Sequence, residues 1–505
     1  MKSIIIRVLK VILFICIMFG ILYKINNILM PTYDYHNSYW PGTSTFNEFY
    51  NMEKDSVDVL FLGPSVVTNA YCPQVIYDEY GIRSFNLSSE QQSIFLSYYW
   101  LKEALRSQSP QVVVLDSLFL EPIHQDDPVN MTEGMIRIGL DPMHLSKVKI
   151  EAVNDICRLD PSQQEISYYL TNIRFHGRWE TLTAADFKNN GLDVAPLKGY
   201  YGITEMGPDS YEAYVPSAST ERQEIPENMV IYFNKIVDLC NENGIKLVLV
   251  SLPGEPMYDS IHNSINDLAA ENNVDYYNLT LQEYIDEIGA ELPVESVIYH
   301  GNVWGSEKMS RFIGKILASN YNVDAVYDEQ WEETRDFYNK YMQVRNLLLI
   351  KNISDYIDGI LEAKESGIDI ILASDGEIFS DEVKNSDKLK RNLTMLGVDA
   401  ETIIDERELY TAYFHDGVWE EAYGTLKNDI ESQIGIWKDR LTVEAYDDER
   451  QGVSLEIDAE EIIPEQTHFA IVIYDENTQR VIDISSLYLN DDNKLKLQHI
   501  NTDES

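Results

Sequence analysis

Cysteine is scarce in this chain of 505 residues, with only Cys16, Cys72, Cys157 and Cys240. Thiols this scattered form neither a disulfide framework nor a set with metal-ligand spacing, which removes the stapled mini-domain and zinc-finger classes. Basic residues are also in short supply, 39 Lys and Arg against 84 Asp and Glu, for a formal net charge of −45. Such a field repels phosphate backbones and disfavours nucleic acid as a partner. Internal repeats, low-complexity tracts and a second long apolar run are absent. What remains, 44% hydrophobic and 24% charged, is globular composition, with length for two or three domains and a large core.

The one long apolar run opens the chain. Val11 to Tyr23 carries no charge and is flanked by Arg7, Lys10 and Lys24. Extended through Ile25, Ile28, Leu29 and Met30, it reaches about 20 residues, enough to cross the hydrocarbon core of a bilayer. Lys24 would then snorkel to the interface. Lys2, Arg7 and Lys10 precede the run, so the positive-inside rule keeps the N-terminus cytoplasmic and exports the rest. The competing reading is a cleaved signal peptide, but Lys24-Ile25-Asn26-Asn27 offers no small-residue cleavage site. The expectation is a single-pass signal-anchor over residues 1–30, with the bulk of the chain on the extracellular side. The Tyr, Asn, Ile and acid richness fits a bacterial surface protein.

Beyond a polar, aromatic linker at 31–54 the period changes. Short β-rich runs at Val57–Leu62, Ser84–Leu87, Val112–Leu115, Lys246–Val250 and Val274–Asn278 alternate with helical stretches. One of these places Ile94, Tyr98, Leu101 and Leu105 on one face. The pattern predicts a doubly wound parallel α/β sheet over 55–325, flavodoxin-like, with its chemistry at the carboxyl ends of strands. Those ends carry Gly63, Ser65, Ser88, Asp116 and Ser251. Between Glu121 and Asn228 the strand signals stop, which predicts a helical and loop insertion over one end of the sheet. A helical connector at 326–344 leads to a second, smaller α/β or β-sandwich-like domain over 345–505. Its strands are expected at Ile368–Ala373, Leu409–Phe414, Val453–Ile457 and Phe469–Tyr474.

A serine just past the first strand and a histidine before the last helix of the sheet domain form the minimal hydrolase pair, here Ser65 and His300. The imidazole takes the hydroxyl proton, and a carboxylate orients the ring. Taken singly, a strand-end serine is usually a helix cap and a lone histidine usually structural.

Context strengthens the pair. Asp58-Val59-Leu60-Phe61-Leu62 running into Gly63-Pro64-Ser65 resembles the first block of the SGNH (GDSL-like) hydrolase superfamily. Ser84-Phe85-Asn86-Leu87, Tyr99-Trp100-Leu101-Lys102-Glu103-Ala104-Leu105 and Pro110-Gln111-Val112-Val113-Val114-Leu115-Asp116 resemble membrane-anchored SGNH-like proteins of Gram-positive bacteria. So does His176-Gly177-Arg178-Trp179, with Leu182 and Asp186-Phe187. His300-Gly301-Asn302, then Gly305, Lys308 and Ser310, is similar to the family's last block, whose histidine is catalytic. The resemblance covers about 55–320. It implies a membrane-tethered O-acyl esterase or acyltransferase of cell-surface polysaccharide, with Ser65 as nucleophile, His300 as base and no cofactor or metal.

Three departures from the family pattern imply a weak or degenerate site. The family's aspartate, three residues before the histidine, is Val297, and Glu295 is the nearest upstream acid. The second-block glycine aligns with Ser88 or Ser89, each of which keeps a backbone N–H for an oxyanion. The third-block asparagine falls near Asp116, whose carboxylate would repel that oxyanion. The alternative to an enzyme is a pseudoenzyme, a non-catalytic glycan-binding or scaffold partner of a membrane-bound O-acyltransferase. His176, Arg178 and Trp179 are read either as a substrate-binding wall, with Trp179 stacking on a sugar, or as an Arg–Trp stack at a domain seam.

The last third of the chain carries a second resemblance. Gly367-Ile368-Asp369-Ile370-Ile371-Leu372-Ala373, Leu396-Gly397 and Ala470-Ile471-Val472-Ile473-Tyr474-Asp475 with Val481-Ile482-Asp483 look like the interleukin-like epithelial–mesenchymal-transition inducer domain. Thr467-His468 stands where that domain has Arg-Gly. The likeness implies a compact, glycan-binding module without catalytic residues.

Overall fold

A computed structural model of the chain describes residues 2–29, 41–121, 133–170, 172–182, 196–374, 387–400 and most of 403–500. The Asp186-Phe187 pair lies outside the described residues. The chain divides into two compact units, Met1–Trp331 and Glu332–Ser505.

The first unit begins with helix α1 (Lys2–Leu29), whose stretch Ile4–Asn26 has a mean hydropathy of 2.7. It is long and apolar enough to span a membrane or to act as a signal sequence. Helix α2 (Pro41–Asn51) then forms inside the stretch expected to be linker. Polar residues dominate it, yet Phe46 and Phe49 are buried, and Phe46 stacks on Trp100 with ring centroids 4.0 Å apart. Two aromatic side chains on one helical face are enough to dock a short helix onto a core.

Five strands, β1 (Val59–Leu62), β2 (Ser84–Asn86), β3 (Val112–Asp116), β4 (Lys246–Ser251) and β5 (Asp275–Asn278), form one sheet in the order β2-β1-β3-β4-β5. Every pairing is parallel. Strands β1 to β3 are buried on both faces, which explains why β1 and β3 read as continuous apolar runs rather than alternating ones. Leu60 and Leu62 face one apolar cluster, shared with the helix Ile94–Ala104, while Val59 and Phe61 face a second one, shared with the helix Val303–Asn320. Helices therefore cover both faces, and the strand order reverses between β1 and β3, where sheets of this kind open their crevice.

The region 121–228 carries no named strand among its described residues. Helices Glu133–Leu140 and Lys147–Leu159 pack onto the sheet unit through Ile136, Leu140, Val148, Ala152, Val153 and Ile156. Residues 196–226 then run as coil past the carboxyl ends of the strands. This coil is pinned by Tyr201 N–H donating to Thr68 O and Val303 N–H donating to Ile203 O.

The second unit starts within the helix Glu329–Arg345, since Trp331 belongs to the first core while Arg345 is buried against Asp475. Its ten named strands fold as two antiparallel sheets. The larger holds β6 (Ile368–Ser374), β7 (Leu409–His415), β8 (Val418–Thr425), β13 (Phe469–Asp475), β14 (Arg480–Leu489) and β15 (Leu495–Ile500), in the order β15-β14-β13-β6-β7-β8. The smaller, between β8 and β13 in the chain, is β9 (Lys427–Asp429), β10 (Leu441–Ala445), β11 (Val453–Ile457) and β12 (Glu460–Glu461). Ile371, Ala373, Tyr413 and Val472 of the larger sheet share a cluster with Val453 and Leu455 of the smaller, as in a sandwich. The helices Ile353–Ala363 and Asp387–Leu396 cover the other face.

Candidate functional site

The carboxyl ends of β1, β3 and β4 open into a cleft of about 490 Å³ that holds both Ser65 and His300. Gly63 makes the approach to it. Its φ is +152°, and a Cβ there would stand 2.7 Å from both the Asp116 Cβ and a Val67 methyl, so only glycine lets β1 leave the sheet this close to β3. The chain turns at Pro64 and places Ser65 as the first residue of the helix Ser65–Ala70.

His300 comes from the loop ahead of the helix Val303–Asn320, and its Nε2 lies 2.7 Å from Ser65 Oγ. Asn302, fully buried, holds that loop. Its Oδ1 accepts from Ser296 N–H and Gly305 N–H, and its Nδ2 donates to Glu205 O and Val294 O. A Cβ on Gly305 would fall 1.7 Å from Ser296 O, so the loop and the helix touch backbone to backbone. The sequence spacing His300-Gly301-Asn302 and Gly305 is thus explained by packing. Tyr299, next to the histidine, is held at φ 55° and donates its N–H to Pro253 O. Left-handed backbone at a tyrosine costs strain that the surrounding bonds must offset.

Among the described residues no carboxylate shifts the His300 imidazole. Burial alone holds its pKa below the ordinary histidine value, so the ring is a neutral base at pH 7. Val297 is buried in the apolar cluster under the loop. The Glu295 carboxylate is taken up by the Glu291 N–H at 2.9 Å and by Lys308 Nζ at 3.3 Å.

Asp116 lines the same cleft, and its Oδ1 accepts the Leu118 N–H at 3.0 Å. Burial pushes its carboxyl up to about 7, against the lowering effect of backbone N–H groups. The repulsive carboxylate expected from the sequence is therefore a neutral acid in part of the population at pH 7, and a protonated carboxyl donates to an oxyanion instead of repelling it. Glu121 stands beside it, raised to about 8 by burial and by the charges of Asp116 and Glu255. Neither Glu121 nor Glu255 is marked by a sequence pattern; only the fold turns them into the cleft. Leu252, Phe119 and Met257 supply an apolar wall.

The remaining expected residues go elsewhere. Ser88 is fully buried, its hydroxyl has no hydrogen-bond partner among the described residues, and it does not line the cleft. His176, Arg178 and Trp179 sit on a 3₁₀ turn, His176–Glu180, and do not line the Ser65–His300 cleft. Arg178 donates to the Leu29 carbonyl at 2.9 Å, and the Asn172 N–H nearby donates to Asn26 Oδ1 at 2.8 Å. This turn is thus seated on the last turn of α1, and Trp179 is 67% exposed beside it.

The second unit brings together a cluster that the sequence spacing did not announce. Asp369, His415 and Glu476, from three separate segments, place one ligand-type atom each within 4.8 Å of one another. Searches with the whole chain add nothing to these observations, since no protein-family model and no curated protein matches it.

Proposed function

We propose that the first unit is a membrane-tethered, SGNH-like acyl-transfer enzyme working with a Ser65–His300 dyad on O-acylated cell-surface polysaccharide. The observation that carries this reading is the 2.7 Å contact between Ser65 Oγ and His300 Nε2 on a solvent-reached cleft at the carboxyl ends of parallel strands. With its other nitrogen protonated, the neutral ring accepts the serine proton as Oγ attacks the ester carbonyl. It then gives that proton to the departing sugar oxygen as the ester C–O bond breaks, releasing the sugar as its alcohol. The acyl-serine is released to water in an esterase or to a second hydroxyl in a transferase. Asp116, in its acid form, is the candidate donor to the oxyanion.

The cleft favours a small neutral acyl group. Among the described residues no Lys or Arg lines the cleft to pair with a succinyl or other anionic acyl chain, whereas Leu252, Phe119 and Met257 accept a methyl. The polysaccharide class rests on the family resemblance. The tether rests on α1, whose last turn is hydrogen-bonded to the insertion, so that the unit sits on the anchor itself.

The missing acid makes the dyad slow. Loss of the orienting carboxylate costs a serine triad about 10⁴-fold in kcat. The test is hydrolysis of an aryl acetate, with fluorophosphonate labelling, by the purified chain in detergent. Slow turnover and slow labelling, both lost in Ser65→Ala, are expected. Turnover unchanged by Ser65→Ala, or none at any pH with a folded protein, would leave the non-catalytic, glycan-binding scaffold as the reading.

A further inference from the structure

We propose that Asp369, His415 and Glu476 form a binding site for a divalent first-row transition-metal ion in the C-terminal unit. The three residues are far apart in sequence, and the antiparallel register gathers them. Asp369 lies opposite Tyr474 on β13, and Ile370 lies opposite Phe414 on β7, which sets His415 beside Asp369. Glu476 follows the last residue of β13. Side chains two residues apart share a face. Ile371, Tyr413 and Tyr474 all face the cluster between the two sheets, so Asp369, His415 and Glu476 are directed to that side at its rim. His415 is held in place by the turn that follows it, Asp416-Gly417 with φ 48° and 79°, the pattern of a two-residue type I′ hairpin.

The distances suit an ion. His415 Nδ1 lies 2.8 Å from Asp369 Oδ1 and 3.0 Å from Glu476 Oε1. In a six-coordinate ion with bonds of about 2.1 Å, neighbouring ligands stand about 3.0 Å apart. Three mutually adjacent ligands would occupy one face of such an ion and leave the opposite face to water. Asp369 is buried, whereas His415 and Glu476 are part-exposed, so an ion can enter from solvent without unfolding the sheet.

Electrostatics points the same way. Two carboxylates at one imidazole nitrogen need positive charge between them. Tyr413 supports the arrangement by donating its hydroxyl to Asp369 Oδ2 at 3.2 Å and stacking its ring on His415. Such outer contacts fix the orientation of metal-binding side chains. One nitrogen and two oxygen donors suit Mn²⁺, Fe²⁺ or Zn²⁺, with Zn²⁺ bound more tightly than Mn²⁺.

The experiment is calorimetric titration of the purified, EDTA-stripped full chain with Zn²⁺ and, separately, Mn²⁺ at pH 7.5. Excess Mg²⁺ would occupy the surface carboxylates of this acidic protein. The expected result is one saturable ion per chain. His415→Ala and Glu476→Gln should each weaken binding about 100-fold or more, beyond what outer contacts alone cost. Both positions are part-exposed, and an unchanged melt of the ion-free variants would establish that they fold. Absence of saturable binding in the parent chain overturns the proposal. So does one-ion binding that survives in the His415→Ala/Glu476→Gln double variant.

Discussion

The Asn302 side chain binds Ser296 to the start of the following helix, its Oδ1 accepting the Ser296 N–H at 3.2 Å and the Gly305 N–H at 3.0 Å. The histidine lies between those two attachment points, so the amide acts as a positioning group for His300. Removing it leaves two buried backbone N–H groups without their acceptor and the part-buried Glu205 and Val294 carbonyls without this donor. Asn302→Ala is expected to destabilise the first unit by about 2–4 kcal/mol. At a temperature where the variant is still folded, kcat on an aryl acetate should fall at least tenfold with KM little changed. A variant with parental labelling and turnover would show that the loop keeps its shape without this amide.

The two titrating groups of the cleft set a pH profile. The His300 pKa lies below the ordinary imidazole value and that of Asp116 at about 7. Activity should therefore rise as the imidazole loses its proton and decline through pH 7 as Asp116 ionises, giving a mildly acidic optimum. Asp116→Asn keeps a hydrogen-bond donor at every pH and should remove the alkaline decline. Stability follows the same sign. Raised folded-state values for Asp116 and Glu121 favour the native state fully below about pH 4, and that contribution is lost as pH rises to about 8. Thermal melts between pH 5 and 8 should thus fall in the parent and flatten in Asp116→Asn. An alkaline limb unaltered by Asp116→Asn would dismiss Asp116 from the oxyanion site.

Where local pattern sets the structure, the sequence could be read closely. The runs Ile368–Ala373, Leu409–Phe414, Val453–Ile457 and Phe469–Tyr474 became strands with ends within a residue, because apolar runs between breakers have few alternatives. Ser65 and His300 were legible from their places at a strand end and before a helix. Strand β14 was not, since Asp483, Ser485 and Ser486 are buried polar residues that hide its pattern. Helix α2 was masked by polar composition, its burial resting on Phe46 and Phe49. The role of Arg178 depends on the Leu29 carbonyl, 149 residues earlier in the chain. No local spacing encodes such a contact, and the same holds for Asp369, His415 and Glu476.

The second unit contains one ion pair whose loss should be costly. Arg345 Nη1 donates to Asp475 Oδ2 at 2.6 Å, and both side chains are almost wholly buried. Thr478 Oγ1 shares the arrangement, accepting from Arg345 Nη2 and donating to Asp475. Replacing the acid with alanine leaves a buried guanidinium uncompensated, which typically costs about 3–5 kcal/mol. Asp475→Ala should lower the denaturation midpoint of the second unit, followed by near-UV dichroism, and leave Ser65 labelling in the first unchanged. A shift under 1 kcal/mol, taken as the order of an exposed pair, would mean that water reaches Arg345.

The proposed Ser65–His300 dyad makes its own repair testable. In the resembling family an aspartate stands three residues before the histidine, and here that place is taken by Val297, buried among apolar side chains. A carboxyl introduced there has two opposed effects. It loses apolar packing and buries a polar group, which should destabilise the unit by about 1–3 kcal/mol. It also gives the imidazole an acid that fixes its tautomer and stabilises the imidazolium formed as Ser65 attacks, an effect worth up to about 10⁴-fold in a complete triad. Val297→Asp should therefore raise kcat on an aryl acetate by at least tenfold while lowering the melting temperature, and the gain should vanish when Ser65→Ala is added. It should also raise the His300 pKa, visible as an upward shift of the acidic limb of the rate profile. A folded Val297→Asp protein with neither a faster rate nor a shifted limb would show that position 297 does not address the ring, and that the weakness of the dyad has another origin than the missing acid.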